Sequence, residues 1–115
     1  MNPIKQFTKK ILQFRNERDW KKFHNPKDMA LSLVLEAAEV LEHFQWKGIE
    51  ETQEYVKRNK EKIGAELADV LFWVLLMSHD LDIDIEKAFE QKLKQNEEKY
   101  PVEKSKGKHT KYDKL

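Results

Sequence analysis

Two apolar runs, each interrupted by a pair of acidic residues, limit this chain more than any other feature. Residues 29–41 read Met29-Ala-Leu-Ser-Leu-Val-Leu-Glu36-Ala-Ala-Glu39-Val-Leu, and residues 63–76 read Ile63-Gly-Ala-Glu66-Leu-Ala-Asp69-Val-Leu-Phe-Trp-Val-Leu-Leu. Neither run alternates apolar with polar residues, as a half-buried strand would, and both are long enough to be helices. A helix that is apolar on nearly every face belongs in an interior. Within each run the two acids stand three residues apart, which puts them on one helix face. An ionised carboxylate buried without a partner costs several kcal/mol, and four that face one another also repel. No lysine or arginine lies in either run to neutralise them. A divalent cation meets the requirement, and an all-oxygen ligand set suits magnesium, or manganese as a second choice. Glu36, Glu39, Glu66 and Asp69 are therefore the candidate metal ligands and catalytic acids. A single such acid pair would more often be a solvated face; two pairs embedded in apolar runs favour the metal. Glu42, further along the same helix, is expected to face water.

The rest of the chain extends the helical pattern. Ile4, Phe7, Ile11 and Phe14 form one apolar stripe, which predicts a first helix from about Ile4 to Trp20. Asn25-Pro26-Lys27-Asp28 joins a cap, a first-turn proline and a first-turn acid, so the second helix starts there and runs to about Phe44. The third spans about Glu51 to Ser78, with Gly64 as a weak point or a place of close packing. The fourth follows a cap at Asp84 and ends at about Lys99, before Pro101. The expected fold is all-α, a four-helix bundle over residues 1–101, with 102–115 as a basic C-terminal tail. A chain of 115 residues buries only a modest core, so a homo-oligomer is expected.

Composition excludes several classes. There are 22 basic and 21 acidic residues, too even a balance for a surface that binds a nucleic-acid polymer. The tail is locally basic, with eight lysines against four acids from Lys92 onward, and on charge alone it reads as a solvated run. Val70 to Met77 is too short to span a bilayer, and the N-terminus lacks a signal-peptide pattern, so no membrane association and a cytoplasmic location are expected. The absence of cysteine removes disulfides and thiolate metal sites. A di-iron bundle would need a histidine three residues after an acid on two helices, and none is present. His24, His43, His79 and His109 have no zinc-ligand spacing, and no glycine-rich phosphate loop exists.

With 26 residues between them, Glu36-x-x-Glu39 and Glu66-x-x-Asp69 resemble the signature of the MazG-like all-α nucleotide pyrophosphohydrolases. Further segments resemble the subgroup that includes the dCTP pyrophosphatases: Glu17-Arg-Asp-Trp-Lys-Lys-Phe-His24-Asn-Pro26, Phe44-Gln-Trp46, Lys92-Leu-Lys-Gln-Asn96, Lys99-Tyr-Pro101 and Lys111-Tyr112. The resemblance spans nearly the whole chain. One departure is at Ile11, where members from higher organisms carry a pocket histidine.

The resemblance implies magnesium-dependent hydrolysis of a nucleoside triphosphate, best guess dCTP or a modified dCTP, to the monophosphate and pyrophosphate. It also implies a homodimer or homotetramer. It assigns Lys92, Asn96, Lys99 and Tyr100 to phosphate binding, residues that would otherwise read as an exposed amphipathic face. It places Trp20 and Trp46 near the base. Trp73, four residues after Asp69 and one turn along the acidic face, is expected at the sugar, and His24 is a candidate for an edge contact to the base or a support for a neighbouring side chain. Two other classes remain open: a non-catalytic member of the fold that binds nucleotide or metal, and a helical interaction module whose acids meet a partner's lysines.

Overall fold

The computed structural model describes residues 2–115. Its order is α1 (Pro3–Glu17), a 3-10 turn (Lys21–Phe23), α2 (Pro26–Glu42), α3 (Ile49–Asp80), α4 (Ile85–Lys99), α5 (Val102–Ser105) and a second 3-10 turn (Tyr112–Lys114). The protein is all-α, and the four expected helices are all present. Among the described residues there is no strand, and no helix is long and apolar enough to cross a membrane. The chain forms two compact units, Met1–Asp82 and Ile83–Leu115.

Each helix start has a local cause. The Asn2 side chain accepts from the Lys5 amide at 2.9 Å, and Pro3 occupies the first turn of α1. Asn25 caps α2 in the same way through the Asp28 amide, again at 2.9 Å, with Pro26 following. Asp84 accepts from the Lys87 amide at 3.1 Å to start α4. At α3 the cap is Gly48, with no side-chain bond, and Glu50 and Glu51 lie in the first turn, where negative charge favours the helix N-terminus.

Three details differ from the sequence expectations. α1 stops at Glu17, not near Trp20, because the backbone turns at Asp19 into the left-handed region (φ 53°). The weak point of α3 is Asn59 (φ −126°, ψ 25°), not Gly64. There the Asn59 amide donates to the Tyr55 carbonyl at 2.9 Å, a side-chain bond that competes with the helix ladder. Residues 102–115, expected as a tail, contain two short helical turns, with Tyr112 edge-on against Tyr100 (centroids 6.1 Å), and are largely exposed.

In the first unit, α3 packs against both α1 and α2. Met29, Leu75 and Leu76 are the fully buried apolar side chains, each worth about 1.5–3 kcal/mol of burial. α2 is not the interior helix its composition suggests. Its Leu31, Val34, Leu35 and Leu41 are exposed, Leu35 by 65%; within the first unit α2 packs on α3, which covers one face of it. On α3, Leu67 and Leu71 are also exposed. The Arg15 side chain ties α1 to the end of α3 through Asp80.

Candidate metal centre and adjoining cleft

The helical spacing of the acids decides the geometry. Glu36 and Glu39 share one face of α2, Glu66 and Asp69 share one face of α3, and these faces meet. One carboxylate oxygen from each of the four lies within 4.8 Å of the others. Oxygens around a magnesium ion sit about 2.1 Å from the metal, so opposite ligands are about 4 Å apart. The cluster is close to that span. Among the described residues no lysine, arginine or histidine pairs with any of the four.

The electrostatics follow from this crowding. The Glu66 carboxyl is pushed up to about 7, first by sharing a hydrogen bond with Glu39, then by burial and by the charges of Glu39, Asp69 and Glu36. The Glu36 carboxyl is raised chiefly by burial and then by Glu39 and Asp69. Its Oε2 is buried with no hydrogen-bond partner. A buried acceptor without a donor, beside three further carboxylates, is what a hard cation satisfies. The four acids thus fit a divalent metal. Glu42 is exposed, as expected.

A cleft of about 440 Å³ adjoins the cluster, lined by Lys10, Ile11 and Phe14 from α1 and by Asp69, Phe72 and Trp73 from α3. Its walls are aromatic and aliphatic, with Asp69 as the link to the acids. Trp73 lies one turn beyond Asp69. It meets Phe72 edge-on at 5.2 Å and His24 at 5.4 Å. Phe14 meets Phe72 edge-on at 6.1 Å, with the Arg18 guanidinium stacked 3.8 Å from its ring centroid. This is a concave apolar pocket beside a charged cluster, the usual form of a small-molecule site.

The residues read from sequence are distributed unevenly. Glu36, Glu39, Glu66 and Asp69 come together, and Trp73 lines the cleft next to them. Trp20 lies behind Phe14 (centroids 5.7 Å) and is not part of the lining. His24 stands behind Trp73. Trp46 sits in the α2–α3 connection, 92% exposed and in the left-handed region (φ 71°), and does not line the cleft. That connection is held by a 2.5 Å contact between His43 Nδ1 and the Tyr55 hydroxyl, and the Lys47 ammonium sits 4.4 Å from the Tyr55 ring centroid. Lys92, Asn96, Lys99 and Tyr100 belong to the second unit, on or just after α4. There the Lys99 ammonium lies 4.8 Å from the Tyr112 ring centroid, and Tyr100 packs on the same ring. Sequence reasoning missed Lys10, Phe14 and Phe72 as cleft residues. The stripe containing Phe14 was legible only as core, and Phe72 is hidden inside an apolar run. Ile11, the point of departure from the family pattern, lines the cleft.

The fold and site define an all-α protein that gathers carboxylates from α2 and α3 beside an apolar cleft. The MazG-like family model matches residues 31–115, and the chain belongs to the MazG-like family. It is 35% identical over 105 residues to dCTP pyrophosphatase 1 of Rattus norvegicus and 33% identical to that of Homo sapiens, with 90% of this chain and 62% of each relative covered. The chain therefore spans about 62% of the length of these curated relatives. A crystal structure of a pyrophosphatase from Archaeoglobus fulgidus matches with a TM-score of 0.82 at 35% identity, covering 88% of this chain and 94% of that one.

Proposed function

We propose that this chain is a magnesium-dependent nucleoside triphosphate pyrophosphohydrolase. It acts on dCTP or a modified dCTP and serves to clear the nucleotide pool. The observation that carries this reading is the four-carboxylate cluster opening onto an apolar, tryptophan-lined cleft. The relatives' names support the reaction class, and the family membership supports the site.

Glu36, Glu39, Glu66 and Asp69 would hold the metal. When bound, the ion supplies positive charge that lets an anionic triphosphate approach four acids and that offsets charge shifting onto the leaving pyrophosphate. The carboxylates would hold that charge in place, and one of the four, free of direct bonding to the metal, would take the proton of the attacking water. Water adds to phosphorus, the bond between the α- and β-phosphates breaks, and the products are the monophosphate and pyrophosphate. Trp73, Phe14, Phe72 and Ile11 exclude water and present flat surface to the nucleoside. Stacking on an aromatic face contributes about 1–3 kcal/mol and tolerates every base. Selection among bases then falls to cleft shape and polar edge contacts, and Lys10 brings a cation to the cleft. Lys92, Asn96, Lys99 and Tyr100 are assigned to the phosphates, and Trp20 and Trp46 to the base, by family resemblance, with His24 as a candidate edge contact or a support for a neighbouring side chain.

The working form is a homodimer or homotetramer, because the exposed Leu31, Val34, Leu35 and Leu41 of α2 need a cover that one chain lacks. A cytoplasmic location suits a nucleotide substrate. The test is pyrophosphate release by purified protein with magnesium and a panel of nucleotides. Turnover supports the enzyme, tight binding without turnover supports a nucleotide sensor, and neither outcome leaves a helical interaction module.

A further inference from the structure

We propose that the buried Arg15–Asp80 pair is a positioning device for the cleft: it fixes His24, and through His24 it holds the Trp73 ring beside Asp69. The proposal rests on the reading of this cleft as the nucleoside site.

Arg15 is 2% exposed, and its two terminal nitrogens donate to the two Asp80 oxygens at 2.6 and 2.9 Å. A buried ion pair of this kind adds little to stability compared with an apolar pair of the same shape. Its contacts give it a second task. Arg15 Nη1 also faces His24 Nδ1 at 3.4 Å. Arginine has donors only, so Nδ1 must offer its lone pair, and His24 is neutral with its proton on Nε2. Burial, then the adjacent guanidinium, holds the imidazole below its ordinary value, against the opposing pull of Asp80. The His24 ring in turn meets Trp73 edge-on, at 5.4 Å and 75°, while Phe72 meets it at 5.2 Å and 77°. Trp73 is held between those two rings.

Among the described residues Arg15 Nε is buried with no partner, so the guanidinium is fixed by its two terminal nitrogens. The other titratable group facing Asp80 is His79, whose Nδ1 lies 3.2 Å from Oδ1. Neither Arg15 nor Asp80 lines the cleft, so both act through His24. A lysine cannot make the same forked contact.

The test uses the full chain in four forms: wild type, Asp80→Ala, His24→Ala and the paired change Arg15→Met with Asp80→Leu. Asp80→Ala leaves a buried charge and is expected to lower Tm. The paired change removes both charges and is expected to recover Tm. In protein labelled with 5-fluorotryptophan, the Trp73 fluorine resonance should move in both the paired variant and His24→Ala, with the Trp46 resonance unchanged. KM for the nucleoside triphosphate should rise roughly twofold to tenfold in both, the span of one aromatic edge contact, with kcat changed by less than about twofold. Adding His24→Ala to the paired variant should raise KM no further, because both act on one link. A paired variant with recovered Tm, an unmoved Trp73 resonance and wild-type KM overturns the proposal. A wild-type protein that neither binds nor hydrolyses nucleoside triphosphates overturns the functional reading instead, and the fluorine spectrum still decides the clamp.

Discussion

Glu39 and Glu66 lie on different helices, yet their carboxylates meet in one cluster, and the hydrogen bond from this contact, with burial and the neighbouring charges, pushes the Glu66 carboxyl up to about 7. Without a cation, the four carboxylates crowd one another's charge. Because the folded value lies above the ordinary 4.5, Glu66 stabilises the fold most below that value, and its contribution is lost as pH rises to about 7. Thermal unfolding of metal-free protein should show Tm falling across this window, and Glu66→Gln should remove most of the fall. Magnesium should raise Tm of the native protein above pH 7, since a ligand bound only to the folded state stabilises it.

Opposite signs apply at the Arg15 clamp. The Arg15 hydrogen bonds hold Asp80 below the ordinary carboxylate value, and burial holds His24 below the ordinary imidazole value of 6.5. Each group binds protons more readily in the unfolded chain. Stability should fall as pH drops below about 6.5 through His24, and again in the acid range through Asp80. Asp80→Ala should cost about 3 kcal/mol at neutral pH by urea unfolding, because it strands the buried guanidinium.

Trp73 forms a wall of the cleft, so Trp73→Ala should raise KM for every accepted base by about tenfold and lower kcat less. Trp46→Ala tests whether the exposed tryptophan of the α2–α3 connection also serves the base. Steady-state kinetics over dCTP, dUTP, dTTP, dATP and dGTP checks both, and a preference for a purine would displace dCTP while leaving the metal chemistry intact.

Assembly is tested at α2. Light scattering should give a mass well above the 13.8 kDa of one chain at micromolar concentration. Leu35→Glu should shift it toward the monomer by placing charge in an apolar contact face. A 13.8 kDa species for the wild type would refute the oligomer.

The helices and the acid cluster were legible because they depend on short-range rules. Caps at Asn25 and Asp84, and three-residue spacing of the acids, are written within single turns. The break at Asn59 was not legible, since it depends on one side chain capturing the Tyr55 carbonyl. The cleft was harder still. Phe14 and Phe72 are ordinary core residues by pattern, and only the packing of α1 against α3 leaves open space beside them. Arg15 and Asp80 are separated by most of the first unit, and nothing local marks either as a partner. The interior position expected for α2 failed because composition shows that a face needs covering, not which chain covers it.

The central claim is that four carboxylates on α2 and α3 run a metal-dependent pyrophosphohydrolase. The direct measurement is pyrophosphate release from dCTP at saturating magnesium by the wild type and by Glu39→Ala, with circular dichroism to confirm that both are folded. The account predicts magnesium-dependent release of one pyrophosphate and one dCMP per dCTP by the wild type, and loss of at least about a hundredfold in kcat for the folded variant. A Glu39→Ala protein that retained the wild-type rate would contradict it.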